Sequence, residues 1–317
     1  MNRLKLGESD LEVPELCFGG NVFGWTINEK ESLRMLDELQ EKGLTFIDTS
    51  NNYSHWAPGN VGGESEAIIG KWFKESKKRH NIVLSTKVGG SMKDVQRGLS
   101  RDNIRMGVES SLRRLNTDYI DLYFAHHDDL NVSQEETMSV FNDLVREGKV
   151  RYLGASNLEV NRIKAANELC KEKGWTKYIA IQPLYNLYDR EKYEKEYLPL
   201  VKEESLAVMS YFALASGFLT GKYKTQEDIS NSQRKEMVKG YLNERGLRII
   251  ESLSVVANRY QAQIAEVAIA WQIHKPDIST PIVSATNAKQ LESIIKATSL
   301  KLTMEDMLFL EKASEFE

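Results

Sequence analysis

The sequence of 317 residues has only two cysteines. Their positions argue against a disulfide-stabilised fold and against a zinc-binding fold. Cys17 and Cys170 are far apart and belong to neither a Cys-x-x-Cys motif nor a Cys/His ligand pattern. A disulfide framework and a zinc site are therefore not indicated. We expect both side chains to be buried, reduced thiols.

Long apolar runs and clusters of one charge sign are also missing. No hydrophobic stretch approaches the roughly 20 residues that a membrane helix needs, and residues 1–7 lack the apolar core of a signal peptide. The formal net charge is -4, and the 42 lysines and arginines are scattered without the basic stripe of a nucleic-acid-binding protein. We expect a soluble, cytoplasmic protein that binds neither membranes nor nucleic acid.

No segment marks a domain boundary. The sequence has six prolines and no linker rich in proline, glycine and serine, no charge block and no change of composition along its length. With 41% hydrophobic and 28% charged residues, it can bury a full core. We expect residues 1–317 to form a single domain.

Short β-branched or apolar runs alternate with amphipathic helical windows throughout the sequence, which predicts βα units and a parallel sheet. Strands are predicted at 16–19, 45–48, 82–86, 119–124, 150–154, 178–181, 206–211 and 280–283. Helices are predicted at 29–42, 64–75, 102–115, 135–147, 160–173, 192–203, 244–260 and 288–297. Eight units of each kind predict an α/β fold, a single (β/α)8 TIM barrel.

Three further segments exceed a minimal barrel. Residues 4–13 predict an N-terminal β-hairpin with its turn at 7–10, which would plug one end of the barrel. Helical windows at 264–274 and 303–313 predict extra helices on its outside or base.

The alternative fold, a doubly wound sheet, needs a Gly-x-Gly-x-x-Gly motif directly after the first strand. Gly19, Gly20 and Gly24 do not have that spacing. Phe23 and Trp25 suit a pocket-lining loop better than a pyrophosphate site, so a Rossmann site is disfavoured.

Four ionisable side chains lie at or just beyond the carboxyl ends of three successive predicted strands. They are Asp48, Tyr53 in the loop that follows, Lys87 and His126. Taken singly, Asp48 could be a helix or turn cap, Tyr53 a residue at the core edge and Lys87 a solvated charge. Barrel active sites lie at this end, however, and a buried Lys–Asp pair there is better explained by chemistry than by stability. We interpret the four as one acid/base site.

In such a site, the charge of Lys87 would act directly on Tyr53. An ammonium at about 4 Å favours the phenolate by roughly 4 kcal/mol, whereas burial and Asp48 oppose that shift. Asp48 would hold Lys87 charged and aimed at the phenol, and a neutral His126 would orient a carbonyl. The set suits proton delivery to a carbonyl oxygen as hydride arrives at carbon, or the reverse reaction.

Seven short motifs occur along the chain in a specific order. They are Phe46-Ile-Asp-Thr-Ser-Asn-Asn-Tyr53, Gly63-Glu-Ser-Glu66, Ser85-Thr-Lys87, Asp121-Leu-Tyr-Phe-Ala-His126, Gly148-Lys-Val-Arg-Tyr-Leu-Gly-Ala-Ser-Asn157, Ile181-Gln-Pro183 and Gly217-Phe-Leu-Thr-Gly-Lys-Tyr223. In this order, the sequence resembles the aldo-keto reductase family, of the bacterial NADP-dependent type, over essentially its whole length.

The resemblance implies an oxidoreductase that reduces aldehyde or ketone carbonyls of small molecules, with NADP as cofactor and no metal. Tyr53 is then the general acid, Lys87 and Asp48 tune it, and His126 orients the substrate carbonyl. Two alternatives stay open. One is a cofactor-sensing binding module similar to ion-channel β subunits, and the other is a sugar or alcohol dehydrogenase that works in the oxidising direction.

The resemblance also implies a cofactor site. Ser156, Asn157 and Gln182 match positions that bind the nicotinamide carboxamide, Tyr211 matches the aromatic stacked on that ring, and residues 213–222 match the pyrophosphate loop. A helix cap by Ser156 and Asn157 and backbone contacts by Gln182 are the structural alternatives. The implied cofactor residues are Ser156, Asn157, Gln182, Tyr211, Leu214, Ser216, Gly217, Leu219, Gly221, Lys222, Ser284, Thr286 and Gln290.

The sequence departs from the family pattern at two places in this cofactor site. It has Tyr211-Phe-Ala-Leu214 where the family usually reads Tyr-Ser-Pro-Leu. Residues 284–288 are uncharged, although many relatives carry Lys or Arg there to pair with the 2′-phosphate of NADP. The predicted helix start at Thr286 and Asn287, with Lys289 nearby, would still bind a phosphate. NADP is therefore favoured, with NAD as the alternative.

The mouth of the predicted site involves three further choices. Side chains alternate in direction along a strand, so only one of His126 and His127 should point inward, and the motif favours His126. Residues 222–237 are a candidate flap over the cofactor. Four residues are predicted to form an aromatic mouth or else to pack on the barrel rim: Phe23, Trp25, His55 and Trp56.

Overall fold

The computed structural model describes residues 1–93, 97–230, 232 and 234–316. The strands within these ranges are β1 (Arg3–Lys5), β2 (Glu12–Pro14), β3 (Cys17–Gly19), β4 (Phe46–Asp48), β5 (Val83–Val88), β6 (Ile120–Ala125), β7 (Val150–Ser156), β8 (Tyr178–Gln182), β9 (Ala207–Val208) and β10 (Ile282–Val283). The first two pair antiparallel with each other, and the other eight form one parallel sheet.

The parallel sheet closes on itself. Its strands follow chain order from β3 to β9, and β10 pairs with β3. Beside β9, the N–H of Ile282 donates to the carbonyl of Ser210 at 2.8 Å, and the N–H of Thr280 donates to that of Val208 at 3.1 Å. The predicted (β/α)8 barrel is confirmed.

Helices run between the strands and surround the sheet. Their bounds are α1 (Glu29–Glu41), α2 (Glu64–Ser76), α3 (Arg101–Leu115), α4 (Gln134–Arg146), α5 (Val160–Lys173), α6 (Leu198–Glu204), α7 (Gln226–Ser230), α8 (Lys235–Val238), α9 (Glu244–Tyr260), α10 (Ile264–Ile273), α11 (Ala288–Ala297) and α12 (Met304–Ala313). Side chains of Asn28, Ser100 and Ser133 accept N–H groups of the first turns and so fix where α1, α3 and α4 begin. Among the described residues, none of these helices combines the length and apolarity needed to cross a lipid bilayer.

Two elements differ from their predicted bounds. The predicted helix at 192–203 contains a π-helical turn, Tyr193–Tyr197, directly before α6, where Pro199 has no N–H to donate to the preceding turn. Strand β9 covers only Ala207–Val208 of the predicted 206–211, although pairing continues beyond it, since Met209 N–H donates to the Ile181 carbonyl at 2.9 Å and Tyr211 forms an isolated bridge with Leu184. At Phe212, a left-handed φ of 55° then turns the chain away.

The N-terminal hairpin plugs one end of the barrel, as predicted. Leu6, Leu11 and Val13 are buried in one cluster with side chains from inside the barrel, including Phe46 and Phe124. The tip of the hairpin is also fastened, because the carboxylate of Asp10 accepts hydrogen bonds from Arg151 and Tyr152, both at 2.9 Å. Since Arg151 and Tyr152 lie at the start of β7, the hairpin closes the amino end of the barrel and leaves the carboxyl end open.

Candidate active site

The barrel brings together the four side chains that were predicted to form one site. Asp48 ends β4, Lys87 lies near the end of β5, His126 follows β6, and Tyr53 is in the loop after β4. The ammonium of Lys87 donates to Oδ2 of Asp48 at 2.6 Å, to the Tyr53 hydroxyl at 2.8 Å and to the Thr49 carbonyl at 2.7 Å. Lys87 is fully buried, so its interpretation as a solvated charge is wrong.

The carboxylate of Asp48 is held from both sides. While Oδ2 contacts Lys87, Oδ1 accepts the hydroxyl of Ser85 at 2.7 Å and the amide of Gln182 at 3.0 Å. Asp48 is only 1% exposed, so these groups replace the water that would otherwise solvate it. Asp48 therefore fixes the position of Lys87, and Gln182 links the ion pair to the far side of the barrel.

Burial and Asp48 on one side, and the charge of Lys87 on the other, act in opposite directions on the pKa of the Tyr53 phenol. Burial, followed by the Asp48 carboxylate at 3.3 Å, raises the pKa of Tyr53 well above its ordinary value. Burial also lowers the pKa of Lys87, although Asp48 acts in the opposite direction. The attraction of Lys87 for a phenolate thus does not prevail at rest. The phenol stays protonated and available as a proton donor near neutral pH.

The two adjacent histidines stack on each other, with ring centroids 4.6 Å apart. His126 lies next to the phenol, its ring centroid 6.2 Å from that of Tyr53, and its Nδ1 is 3.1 Å from Oγ of Ser50. Burial, aided by Lys87, lowers the pKa of His126 well below its ordinary value. Burial likewise lowers the pKa of His127 to about 4. Both rings are therefore neutral at pH 7, and His126 is the one that adjoins Tyr53.

A cavity of about 1260 Å³ opens above these side chains at the carboxyl end of the barrel. Asp48, Tyr53 and both histidines line it. Most of the predicted cofactor residues also line it: Ser156, Asn157, Gln182, Tyr211, Leu214, Ser216, Gly217, Lys222, Ser284, Thr286 and Gln290. In the described structure, the other two do not. Leu219 is fully buried in the core, and Gly221 packs so closely on Ile264 that a Cβ there would lie 2.7 Å from its side chain.

The residues matched to the nicotinamide site hold one another in place. Asn157 donates to the carbonyl of His126 at 2.9 Å and accepts the hydroxyl of Tyr211 at 3.0 Å. Ser156 donates to the carbonyl of Gln182 at 2.9 Å. Helix α5 has Glu159 as its N-cap, so Ser156 and Asn157 do not serve as the helix cap considered as an alternative. They tie the ends of β7, β8 and β9 to His126.

The loop after β9 has an unusual backbone. Four residues within six positions, Phe212, Ala215, Ser216 and Gly217, have φ between 46° and 96°. The N–H groups of Ala215 and Gly217 donate to the carbonyls of Phe212 and Leu214 at 2.7 and 2.8 Å, so the loop folds into consecutive tight turns. A Cβ on Gly217 would lie 3.5 Å from Nζ of Lys222, so a cation adjoins the loop.

The mouth of the cavity matches the predicted aromatic set in part. Trp25 and Trp56 line it, with ring centroids 5.4 Å apart, and the guanidinium of Arg234 lies 5.4 Å from the Trp25 ring. His55 contacts Trp56 from the side. Phe23 is fully buried against Phe18, so its prediction as a mouth residue is wrong.

The predicted flap, residues 222–237, runs along the cavity, and Tyr223, Arg234 and Met237 face it. Asn231 and Gln233 of that segment lie outside the described residues.

Sequence reasoning missed three residues that line or support this cavity: Ser50, Asn52 and Arg234. Ser50 and Asn52 lie between Asp48 and Tyr53, and their position inside that motif was the available signal. Arg234 had no such signal, because only the fold brings its segment over Trp25.

Comparison with known proteins gives a consistent result over nearly the whole chain. The model of the aldo/keto reductase family matches residues 15–315. An uncharacterized oxidoreductase of Bacillus subtilis, YrpG, is 34% identical over 313 residues, which cover 96% of this chain and 93% of the relative. A probable voltage-gated potassium channel subunit beta of Arabidopsis thaliana is 32% identical, over 95% of this chain and 92% of the relative. Norsolorinic acid reductase B of Aspergillus parasiticus is 30% identical, over 98% and 83%. The chain belongs to the aldo/keto reductase family.

Proposed function

We propose that this protein reduces the carbonyl group of small aldehydes or ketones, with Tyr53 as the general acid. Bound NADPH or NADH supplies the hydride. The observation that carries the proposal is the contact of 2.8 Å between the Lys87 ammonium and the Tyr53 hydroxyl at the floor of the cavity. A phenol in that position has a proton to give and a neighbouring cation to stabilise the phenolate that remains.

The division of roles follows from burial. Tyr53 is half-buried and lines the cavity, whereas Lys87 is fully buried behind it. Lys87 therefore acts on substrate through Tyr53, and Asp48 keeps Lys87 in place through the contact of 2.6 Å. His126 adjoins the phenol and orients the substrate.

The residues around the cavity fit a nicotinamide dinucleotide. The volume of about 1260 Å³ exceeds the roughly 300–1,000 Å³ of ordinary small-molecule sites, which leaves room for cofactor and substrate together. Tyr211 offers a flat face beside Ser156, Asn157 and Gln182, and the loop at Gly217 with Lys222 offers a site for the pyrophosphate. Helix α11, whose N-cap is Asn287, would hold the adenosine end.

The direct test is turnover of a generic aromatic aldehyde, 4-nitrobenzaldehyde, with NADPH and then NADH, followed by loss of nicotinamide absorbance. We expect turnover with at least one cofactor. Cofactor binding without turnover of any carbonyl in a broad panel would contradict the proposal and favour the alternative of a cofactor-sensing binding module. Oxidation of alcohols or sugars alone would favour the dehydrogenase alternative.

We expect Lys289→Glu to weaken NADPH binding about tenfold, equivalent to about 1.4 kcal/mol, and to leave NADH binding within about twofold. Lys289 lines the cavity in the first turn of α11, and the N–H and hydroxyl of Thr286 donate to Oε1 of Gln290 beside it. A 2′-phosphate there would gain from the lysine charge and from the helix N-terminus. Fluorescence titration with both cofactors provides the measurement.

Lys301→Glu is the matched control, because it makes the same change of charge at an exposed residue that does not line the cavity. An equal loss for NADPH and NADH in Lys289→Glu would place the 2′-phosphate elsewhere.

A further inference from the structure

Helix α12 has an exposed face that is rich in large apolar side chains. Met304, Leu308 and Phe309 are 73%, 57% and 37% exposed, and their spacing places them on one side of the helix. The opposite side, with Met307 and Leu310, packs in the core. A single exposed apolar side chain is ordinary on a protein surface, but adjacent ones on one element are typical of interaction sites.

This exposed face has a fixed shape, because α12 is anchored at its first turn. Thr303 and Asp306 form a capping box there. The carboxylate of Asp306 also accepts hydrogen bonds from two residues of α9, Arg259 at 2.5 Å and Tyr260 at 2.6 Å. The guanidinium of Arg259 lies 5.6 Å from the centroid of the Phe309 ring. A surface that is already ordered loses little conformational entropy when it binds a partner.

The charges on this face lie on either side of its apolar centre. Glu305 is exposed near the start of α12, and Lys312 is exposed near its end. Asp306 and Glu311, the other two charged side chains of the helix, form ion pairs. Glu305 and Lys312 form none with any residue that the structure describes. One acidic and one basic group are therefore left for a partner.

A second copy of the same helix, packed antiparallel, would pair both charges. Glu305 and Lys312 lie at equal distances, about 5 Å along the helix, on either side of an axis that passes between Leu308 and Phe309. A twofold rotation about that axis places each Glu305 opposite Lys312 of the other copy. It also brings Leu308 and Phe309 against their own copies. A partner surface of one charge sign would satisfy only one of the two charges.

We propose that this protein forms a homodimer through the exposed face of α12, with the two helices antiparallel about a twofold axis. The ten residues of α12 span only about 15 Å, so the contact buries less than the roughly 800 Å² per partner of a standard interface. The dimer is therefore weak, with a Kd on the order of 10–100 µM. The described residues that line the cavity include none of α12, so dimerisation leaves the cavity of each copy open.

The test is sedimentation velocity of the full chain from about 1 to about 300 µM, a range that brackets the expected Kd. We expect a concentration-dependent monomer–dimer equilibrium. Glu305→Lys and Lys312→Glu should each weaken it about tenfold or more, because each substitution makes both ion pairs of the dimer repulsive. An equimolar mixture of the two variants should dimerise about as well as the wild-type protein, since opposite charges then face each other at both contacts.

The apolar centre is tested by Leu308→Glu, which brings two like charges together and should weaken dimerisation about tenfold or more. Met106→Glu is the matched control, because Met106 is 60% exposed on another helix, α3, and it should change the Kd by less than about twofold. Circular dichroism verifies that every variant is folded. A wild-type protein that is monomeric throughout the range would overturn the proposal. A dimer that tolerates both charge substitutions, or a mixture no better than its two components, would overturn the antiparallel α12 contact.

Discussion

Tyr53→Phe is expected to lower carbonyl turnover by about 10²- to 10⁴-fold, the usual contribution of a general acid, and to leave cofactor affinity within about twofold. The phenylalanine ring keeps the edge contacts of Tyr53 with Trp56 and His126, so the cavity wall survives. What disappears is the hydroxyl that lies 2.8 Å from the Lys87 ammonium. The loss should appear in kcat, because it removes an interaction that matters only as the proton moves.

The matched control for that experiment is Tyr152→Phe. This substitution also removes a phenol hydroxyl that makes a hydrogen bond. The partner of that hydroxyl is Asp10, at the opposite end of the barrel from the cavity. Steady-state kinetics should show an unchanged kcat for the control, and fluorescence titration should show an unchanged affinity for NADPH. Wild-type turnover in Tyr53→Phe would reject Tyr53 as the acid.

Lys87→Met is expected to destabilise the fold by about 3–5 kcal/mol and to reduce turnover severely. Methionine fills the volume of the lysine stem, but it leaves the Asp48 carboxylate buried at 1% exposure without its counter-ion. It also removes the cation that stabilises the Tyr53 phenolate. Urea unfolding followed by tryptophan fluorescence measures the first effect, and steady-state kinetics measures the second.

The double variant Lys87→Met with Asp48→Asn separates the two effects. An asparagine at 48 is neutral, and its amide oxygen can still accept from Ser85 and Gln182, which both contact the carboxylate at present. Most of the lost stability should therefore return, and the two substitutions should be strongly non-additive. Turnover should stay low. A double variant as unstable as Lys87→Met would show that packing around Lys87, and not the ion pair, controls stability.

The sequence predicted those parts of the site that follow from strand periodicity. Asp48, Lys87 and His126 end successive strands, and parallel strands in a closed barrel bring such ends together whatever the loops do. The contact of Gln182 with Asp48 lies across the barrel between residues 134 positions apart, so local patterns carried no signal for it.

Loop residues were predicted less well, for a physical reason. No period relates Phe23 to Trp25, and the choice between core and mouth depends on the local backbone, which buries Phe23 against Phe18. The pKa of Tyr53 was likewise a balance of opposing effects. Burial decides it, and the extent of burial is known only once the barrel is assembled.

The closure of the barrel has a consequence for the order in which the chain folds during synthesis. Strand β3 pairs with β10, and Ser284 donates to the carbonyl of Gly19 across 265 positions of sequence. When the ribosome has made the first half of the protein, the N-terminal hairpin and β3 are present, but β10, the strand that pairs with the free edge of β3, is not. Until β10 emerges, β3 offers unpaired backbone groups to any neighbouring chain. We expect nascent chains truncated before β10 to depend on chaperones, whereas chains that extend through β10 and α11 should not.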